Sequence, residues 1–146
     1  MNWTPHVTVA TVIEDNGRFL LVEERSDGAL VFNQPAGHLE RGETLEEAAR
    51  RETLEETGWS VELLGVVGLG LYTAPGNGQT YHRTTFFGKP LQCDQTRQLD
   101  DGIVRAVWLS FEEVQALSAR MRSPLVTRVI AQYLEGHRYP LSLVYG

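Results

Sequence analysis

Three glutamates with helical spacing are the residues of this sequence best suited to chemistry. Glu52, Glu55 and Glu56 follow the pattern i, i+3 and i+4, so a helix would present their carboxylates from adjacent turns. No histidine or cysteine accompanies them on this predicted helix, and sets of oxygen ligands favour Mg²⁺ or Mn²⁺ over zinc. The spacing therefore predicts a divalent metal site, of the kind that shares its ion with a phosphate ligand.

A solvated helix held by surface ion pairs is the structural alternative, since Glu47 and Arg51 also stand at i, i+4. A helical projection puts Glu52 and Glu56 on the same side as Ala48 and Ala49, with Glu55 at its border. Ionised carboxylates facing a core are costly unless a cation neutralises them. The projection therefore favours the metal site.

The helix that would carry these glutamates has recognisable ends. Thr44 and Glu47 form a capping-box pattern at its start, and Gly58 suits a left-handed residue after its last turn. The residues between are mostly Ala, Leu, Glu and Arg, which are strong helix formers. We therefore predict a helix over 44–57.

The remaining elements alternate between strand and helix patterns. Asn16-Gly17 between two runs rich in apolar and β-branched residues predicts a β-hairpin, and a short strand then runs into Pro35 and a loop. The further predictions are strands over 61–72, 80–87 and 104–110, a helix capped by Ser110 through Leu117, and a final helix with Pro124 at its first position. Together they predict a mixed sheet covered by helices on its faces.

Composition limits the classes of function. With 146 residues, 42% hydrophobic content and a formal charge of −6, we expect one domain, 1–146, without a broad nucleic-acid interface. Cys93 is the only cysteine, which excludes an intrachain disulfide and fits a cytoplasmic location. No apolar stretch is long enough for a membrane span or a secretory leader.

The segment 37–59 resembles the Nudix box, G-x5-E-x7-R-E-U-x-E-E-x-G-U, where U is a bulky aliphatic residue. Every fixed position matches, and these are Gly37, Glu43, Arg51, Glu52, Glu55, Glu56 and Gly58. Thr53 and Trp59 depart from the aliphatic positions, and Ala36 replaces the first of two usual glycines before the loop. The resemblance implies an α/β (α+β) fold, the Nudix α/β/α sandwich with a mixed sheet.

The resemblance also implies roles for particular residues. It makes Glu52, Glu55 and Glu56 metal ligands for Mg²⁺, with Mn²⁺ as a substitute, and makes the Gly37 carbonyl a further oxygen donor. Arg51 and Glu43 would support this loop and helix. Many Nudix enzymes place a catalytic base where Asp100 and Asp101 stand, so Asp101 is the favoured base beside the catalytic Glu55 and Glu56, with Glu55 its rival.

Four residues outside the glutamate cluster are candidate substrate contacts. Arg83, in a predicted strand, could hold a phosphate bidentately, and His38 stands in the loop beside Gly37, where a loop-capping hydrogen bond is its alternative role. Gln34 and Tyr72 are further candidates for contact with the organic group. The aromatic residues of the strands are expected to pack mostly in the core, namely Phe32, Tyr72, Tyr81, Phe86 and Trp108.

Segments beyond the box, "HVTVA", "NQPAGHLE", "RSPLV" and "RYPL", resemble the NudJ-type phosphatase subgroup. That resemblance implies metal-dependent hydrolysis of nucleoside di- and triphosphates, hydroxymethylpyrimidine diphosphate and thiamine diphosphate. The alternatives are a nucleotide-sensing Nudix module without turnover, or a Nudix pyrophosphohydrolase acting on RNA 5′ ends or dinucleotide polyphosphates. The expected partner is a small phosphate substrate, and a monomer and a homodimer both remain open.

Overall fold

The computed structural model describes residues 2–146, which form eight strands and three α-helices. The strands are β1 (His6–Asp15), β2 (Arg18–Ser26), β3 (Ala29–Asn33), β4 (Ala36–His38), β5 (Trp59–Thr73), β6 (Thr80–Cys93), β7 (Ile103–Ser110) and β8 (Tyr139–Pro140). The helices are α1 (Leu45–Thr57), α2 (Phe111–Ala116) and α3 (Leu125–Leu134), and single 3₁₀ turns cover Ser118–Arg120 and Leu141–Leu143.

The sheet is mixed, as predicted. Its strands follow the order β3-β2-β1-β6-β5-β8, with β4 paired to β1 and β7 paired to β2. The β1–β6 pair is parallel, and the other pairs of strands are antiparallel. None of the helices in the described part of the chain is both long and apolar enough to span a membrane.

The predicted hairpin forms only at its tip. Asn16 and Gly17 have φ of 51° and 79°, as a two-residue hairpin turn requires. Beyond the turn, β1 and β2 pair only at Glu14–Phe19 and Asp15–Arg18. β1 then pairs with β4 and β6, whereas β2 pairs with β3 and β7, so the sheet splits. The predicted hairpin is therefore confirmed, but its two strands diverge soon after the turn because each pairs over a greater length with other strands.

Helices cover both faces of the sheet. On one face Ala48 and Ala49 of α1 lie in a buried cluster with Val9, Val66 and Phe86. On the other face, residues of α3 lie in a second cluster with residues of β1, β2 and β5: Val126, Val129, Ile130 and Tyr133 with Val12, Phe19, Leu21 and Val67. The α/β/α arrangement is therefore confirmed.

The ends of α1 agree with the sequence analysis. Thr44 Oγ1 accepts from the Glu47 amide at 3.1 Å, while Glu47 Oε1 accepts from the Thr44 amide at 2.8 Å. Gly58 ends the helix with φ of 78°, and its amide donates to the Leu54 carbonyl at 2.9 Å. The predicted start of α3 is one residue too early, because Pro124 precedes the first helical residue.

Three of the five aromatic residues, Phe32, Phe86 and Trp108, pack in or against the core as expected. Phe32 and Phe86 are buried in the core. Trp108 is half-buried with its ring centroid 5.7 Å from that of Trp59. Tyr72 and Tyr81 face each other across β5 and β6 and are only half-buried, because this end of the two strands extends beyond the core.

Candidate metal and phosphate site

An acidic cluster joins α1 to the loop before β7. Oxygen atoms of Glu52, Glu56 and Asp100 all lie within 4.8 Å of one another. The loop is held against the helix because the Asp100 amide donates to the Glu55 carbonyl at 3.0 Å. Three carboxylates brought together in this way offer the oxygen ligands that hard divalent cations prefer.

The membership of this cluster covers only part of the predicted set of acidic site residues. Glu55 is not among these three converging carboxylates, and its Oε1 accepts from Arg51 Nη1 at 3.0 Å. Asp100 and Asp101 are both exposed, and only Asp100 contributes a carboxylate to the cluster; the role of Asp101 as base stays a prediction. The backbone hydrogen bond to α1 holds Asp100 beside the helix.

Burial disfavours the ionised forms of the cluster's carboxyl groups. Burial raises the pKa of Glu56 to about 8, although the Ala36 amide donates to its carboxylate at 3.0 Å. Burial also raises the pKa of Glu52 and of Asp100 above their ordinary values. A bound cation favours the ionised form of carboxyl groups whose pKa is raised by burial. The donor set therefore fits a divalent metal.

Arg51 ties the cluster to the loop before α1. Its Nε and Nη2 donate to both oxygens of Glu43 at 2.9 and 2.7 Å, and Nη2 also donates to the His38 carbonyl at 3.0 Å. Nη1 donates to Glu52 at 2.7 Å and to Glu55. These hydrogen bonds raise the pKa of Arg51 above its ordinary value, with Glu43 the largest cause. The arrangement fits the supporting role proposed for Arg51 and Glu43.

Gly37 is a steric requirement of the same site. A Cβ added at this position would collide with the carboxylate of Glu52, closer than any real Cβ contact. Gly37 lies in β4 opposite Val9, so the main chain passes directly beside a cluster carboxylate. Such proximity is consistent with the Gly37 carbonyl as an additional oxygen donor, which remains a prediction.

Two other predicted contacts, Gln34 and Arg83, are bonded to each other. Arg83 Nη2 donates to Gln34 Oε1 at 2.7 Å, while Arg83 Nε and Gln34 Nε2 are buried without a hydrogen-bond partner in the described chain. Burial, and next the charge of Arg122, lowers the pKa of Arg83 to about 10. Buried donors without partners are costly, so this pair is well suited to a ligand that supplies acceptor oxygens.

Arg122 is a site residue that the sequence analysis missed. Its Nη1 donates to the buried Glu24 at 2.8 Å, and its amide donates to the Phe32 carbonyl at 2.8 Å. Its positive charge lowers the pKa of both His38 and Arg83, so it lies among the predicted substrate contacts. No spacing rule connects Glu24 with a residue 98 positions away, and only the fold reveals the pair.

His38 and Tyr72 both lie beside Tyr81. The His38 ring packs with His6 and Tyr81, with centroids 5.4 and 6.2 Å away, and only its carbonyl reaches Arg51. Burial, followed by the charges of His6 and Arg122, lowers the pKa of His38. Tyr72 is placed opposite Tyr81 near the turn between β5 and β6.

Comparison with known proteins places this geometry in a family. The family model of the NUDIX domain matches residues 3–129. Phosphatase NudJ of Escherichia coli strain K12 is 43% identical over 140 residues, covering 96% of this chain and 90% of the relative. Phosphatase NudJ of Shigella flexneri matches to the same extent.

Solved structures agree with the sequence matches. A NUDIX hydrolase from Nitrosomonas europaea superposes with a TM-score of 0.94 and 48% identity, covering 98% of this chain and 97% of that one. A MutT NUDIX hydrolase from Burkholderia pseudomallei shares the fold at 20% identity, with a TM-score of 0.74 and coverage of 88% and 98%. The fixed box positions, the family match and the close relatives together show that this chain belongs to the Nudix family and is a Nudix phosphohydrolase.

Proposed function

We propose that this enzyme is a Mg²⁺-dependent phosphatase of small organic di- and triphosphates. Its proposed substrates are nucleoside di- and triphosphates, hydroxymethylpyrimidine diphosphate and thiamine diphosphate. The observation that carries the proposal is the convergence of Glu52, Glu56 and Asp100 within 4.8 Å. The similarity to relatives named phosphatase NudJ supports release of orthophosphate.

The metal would be held by the carboxylates of Glu52, Glu56 and Asp100, with the Gly37 carbonyl as a further donor. When bound, Mg²⁺ supplies positive charge for phosphate oxygens and lowers the pKa of water, and Mn²⁺ suits the same oxygen ligands. The pKa of about 8 at Glu56 in the metal-free chain indicates that ionising this group needs such a charge nearby.

The protein's own residues orient the reaction. Arg51 fixes the carboxylates of Glu52 and Glu55 through hydrogen bonds of 2.7 and 3.0 Å. Glu55 is not among the three cluster carboxylates and accepts from Arg51 through Oε1, which leaves its second oxygen to accept the proton of the attacking water. Arg83 would then hold the phosphate with donors that lack a protein partner.

The proposal is tested by measuring phosphate release across a panel of substrates with and without Mg²⁺. We expect orthophosphate from several nucleoside diphosphates and from thiamine diphosphate in Mg²⁺, and no release in EDTA. Hydrolysis in ¹⁸O-labelled water identifies the phosphorus that is attacked.

Three outcomes would contradict the proposal. Binding of nucleotides without turnover would indicate a sensing module. Activity confined to dinucleotide polyphosphates or capped RNA would retain the family and overturn the substrate class. Unchanged release in EDTA would overturn metal dependence. The cytoplasmic location and the choice between monomer and homodimer stay predictions.

A further inference from the structure

Two adjacent glutamates of β2, Glu23 and Glu24, are buried outside the acidic cluster. Glutamate is rarely buried unless it is paired, and the proposed reaction uses neither residue. Glu23 accepts from Arg105 at 2.9 Å and from Arg120 at 2.7 Å, and these two bonds account for its burial. The partners of Glu24 are different, and they lead toward the candidate phosphate site.

Glu24 joins two neighbouring segments of the fold. Its Oε1 accepts from Arg122 Nη1 at 2.8 Å and, over a longer distance, from Asn33 Nδ2 at 3.4 Å. Asn33 pairs with Val22 across β2 and β3, so the alternation of side chains puts Asn33 and Glu24 on the same face. The Arg122 amide donates to the Phe32 carbonyl at 2.8 Å. Arg122 is therefore held to β2 by its side chain and to β3 by its main chain.

Asn33 connects Glu24 with the pair formed by Gln34 and Arg83. Its Oδ1 accepts from the Gln34 amide at 2.9 Å, so both ends of the buried Asn33 side chain are bonded. Gln34 is buried too, and its Oε1 accepts from Arg83 Nη2 at 2.7 Å. Consecutive hydrogen bonds thus run from Arg122 through Glu24, Asn33 and Gln34 to Arg83. This is called the Glu24 hydrogen-bond chain.

The orientation of Arg83 depends on this hydrogen-bond chain. Gln34 accepts from one guanidinium nitrogen, while Arg83 Nε is buried without a partner in the described chain. A guanidinium recognises phosphate through two parallel hydrogen bonds, so the direction of its plane matters. We propose that Glu24 is a positioning residue for substrate binding, which fixes the plane of the Arg83 guanidinium through the Glu24 hydrogen-bond chain. This inference rests on the proposed function for the role of Arg83 and goes beyond it by giving a role to a carboxylate outside the acidic cluster.

A direct electrostatic role of Glu24 would have the opposite sign. Burial is the main cause of the raised pKa of Glu56, and the charges of Glu52 and then Glu24 add to it, so Glu24 lies near the site. A negative charge there repels an anionic substrate, and its removal alone should tighten binding. Loss of positioning should weaken binding instead. The direction of the change in KM therefore separates the two roles.

The test removes the carboxylate with Glu24→Met, which keeps the length of the side chain and replaces a buried charge by an apolar group. We expect KM for adenosine diphosphate in saturating Mg²⁺ to rise about tenfold, the size of effect that loss of an outer supporting partner often has. The value of kcat should stay near wild type, because the phosphate is charged in both the ground state and the transition state. Asn33→Leu has nearly the same shape as asparagine and should raise KM similarly.

Glu23→Met is the matched control. Glu23 is as buried as Glu24 and is also paired with arginine, but it has no hydrogen bond to Asn33. We expect Glu23→Met to keep the wild-type KM, and melting temperatures to show that the variants are folded. An unchanged or lower KM in folded Glu24→Met, or an equal rise in both variants, would overturn the positioning role.

A double-mutant cycle shows whether Glu24 acts through Arg83. In an Arg83→Ala background, Glu24→Met should have almost no further effect on kcat/KM, because the group that it positions is gone. A merely structural contribution of Glu24 would lower kcat/KM by the same factor in both backgrounds. Such additivity would overturn the inference.

Binding separates this inference from the proposed function. Calorimetry with α,β-methylene adenosine diphosphate needs no turnover, and we expect about tenfold weaker binding by Glu24→Met than by the wild type. That difference should disappear in the Arg83→Ala background. If no substrate is hydrolysed but this pattern is found, the proposed function fails and the positioning role stands. Equal affinity of wild type and Glu24→Met would overturn the positioning role even in an active phosphatase.

Discussion

Neighbouring residues at this site have different surroundings. The amide of Asp100 donates to the Glu55 carbonyl and its carboxylate joins the acidic cluster, whereas Asp101 contributes no carboxylate to that cluster. Glu55 and Glu56 are likewise adjacent, yet Arg51 holds the first and the Ala36 amide holds the second. Each carboxylate should therefore have a separate role, and substitutions can distinguish them.

Amide substitutions of three of these carboxylates should give three different results. Asp100→Asn removes a proposed metal ligand, so activity should fall and be partly restored by raising Mg²⁺. Glu55→Gln removes the proposed base, so kcat should fall by about 10²- to 10⁴-fold with little change in KM, and extra Mg²⁺ should not restore it. Asp101→Asn should stay near wild type.

These results are measured as kcat and KM over a series of Mg²⁺ concentrations. A severe loss in Asp101→Asn together with near-normal activity in Asp100→Asn would contradict the assignment made from the cluster geometry.

Helical spacing and capping were sufficient to predict α1 and the direction of two of its glutamates. Glu52 and Glu56 converge as the projection indicated, since both repeat the period of Ala48 and Ala49. Helical spacing could not predict that Asp100 joins the cluster, because Asp100 lies in a loop that is distant from α1 in the sequence. β4 was missed for a related reason: three residues carry no periodic pattern, and their pairing with β1 defines the strand.

A network of ion pairs around a buried glutamate also connects secondary-structure elements to one another. Glu23 of β2 accepts from Arg105 of β7 at 2.9 Å and from Arg120 of the 3₁₀ turn at 2.7 Å. Glu23 is only 7% exposed, and the hydrogen bonds from Arg105 and then Arg120 lower its pKa. This carboxylate therefore connects the sheet to the segment that leads to Arg122.

Glu23 should make stability depend on pH in the acid range. Its folded pKa lies below the ordinary value of 4.5, so its contribution is complete above that value and is lost as the pH falls through the folded pKa. Glu23→Gln should lower the free energy of unfolding by about 1 kcal/mol at pH 7, since the arginines are largely exposed. The difference from wild type should shrink below pH 4.5.

Urea unfolding at several pH values measures this difference. Glu62→Gln serves as control, because Glu62 forms a half-exposed pair with Lys89 and should show little effect at any pH. A Glu23→Gln deficit that stays constant down to pH 3 would show that the ionised form of Glu23 is not the source.

At the scale of the whole molecule, a formal charge of −6 accompanies a site with three converging carboxylates. Mutual repulsion there opposes folding in the absence of a cation, and a ligand that binds only the folded chain stabilises it by mass action. The composition showed that the chain is acidic. Only the fold shows where its negative charges are concentrated.

Mg²⁺ should therefore raise the melting temperature. At a concentration about 100 times the dissociation constant the gain is about 2.7 kcal/mol, which corresponds to a rise of several degrees for a chain of this size. Sodium chloride of equal ionic strength is the control for general screening, and it should produce a much smaller shift. The same shift with both salts, measured by differential scanning calorimetry, would argue against a specific site.

The central claim is that the acidic cluster on α1 performs the chemistry, and Glu56→Gln tests it most directly. The substitution keeps the size and the acceptor oxygen for the Ala36 amide but removes the charge. We expect kcat for orthophosphate release from a nucleoside diphosphate in saturating Mg²⁺ to fall by at least about 100-fold, with the melting temperature of the metal-free protein maintained and Glu62→Gln fully active. A folded Glu56→Gln variant with near wild-type kcat would contradict the account.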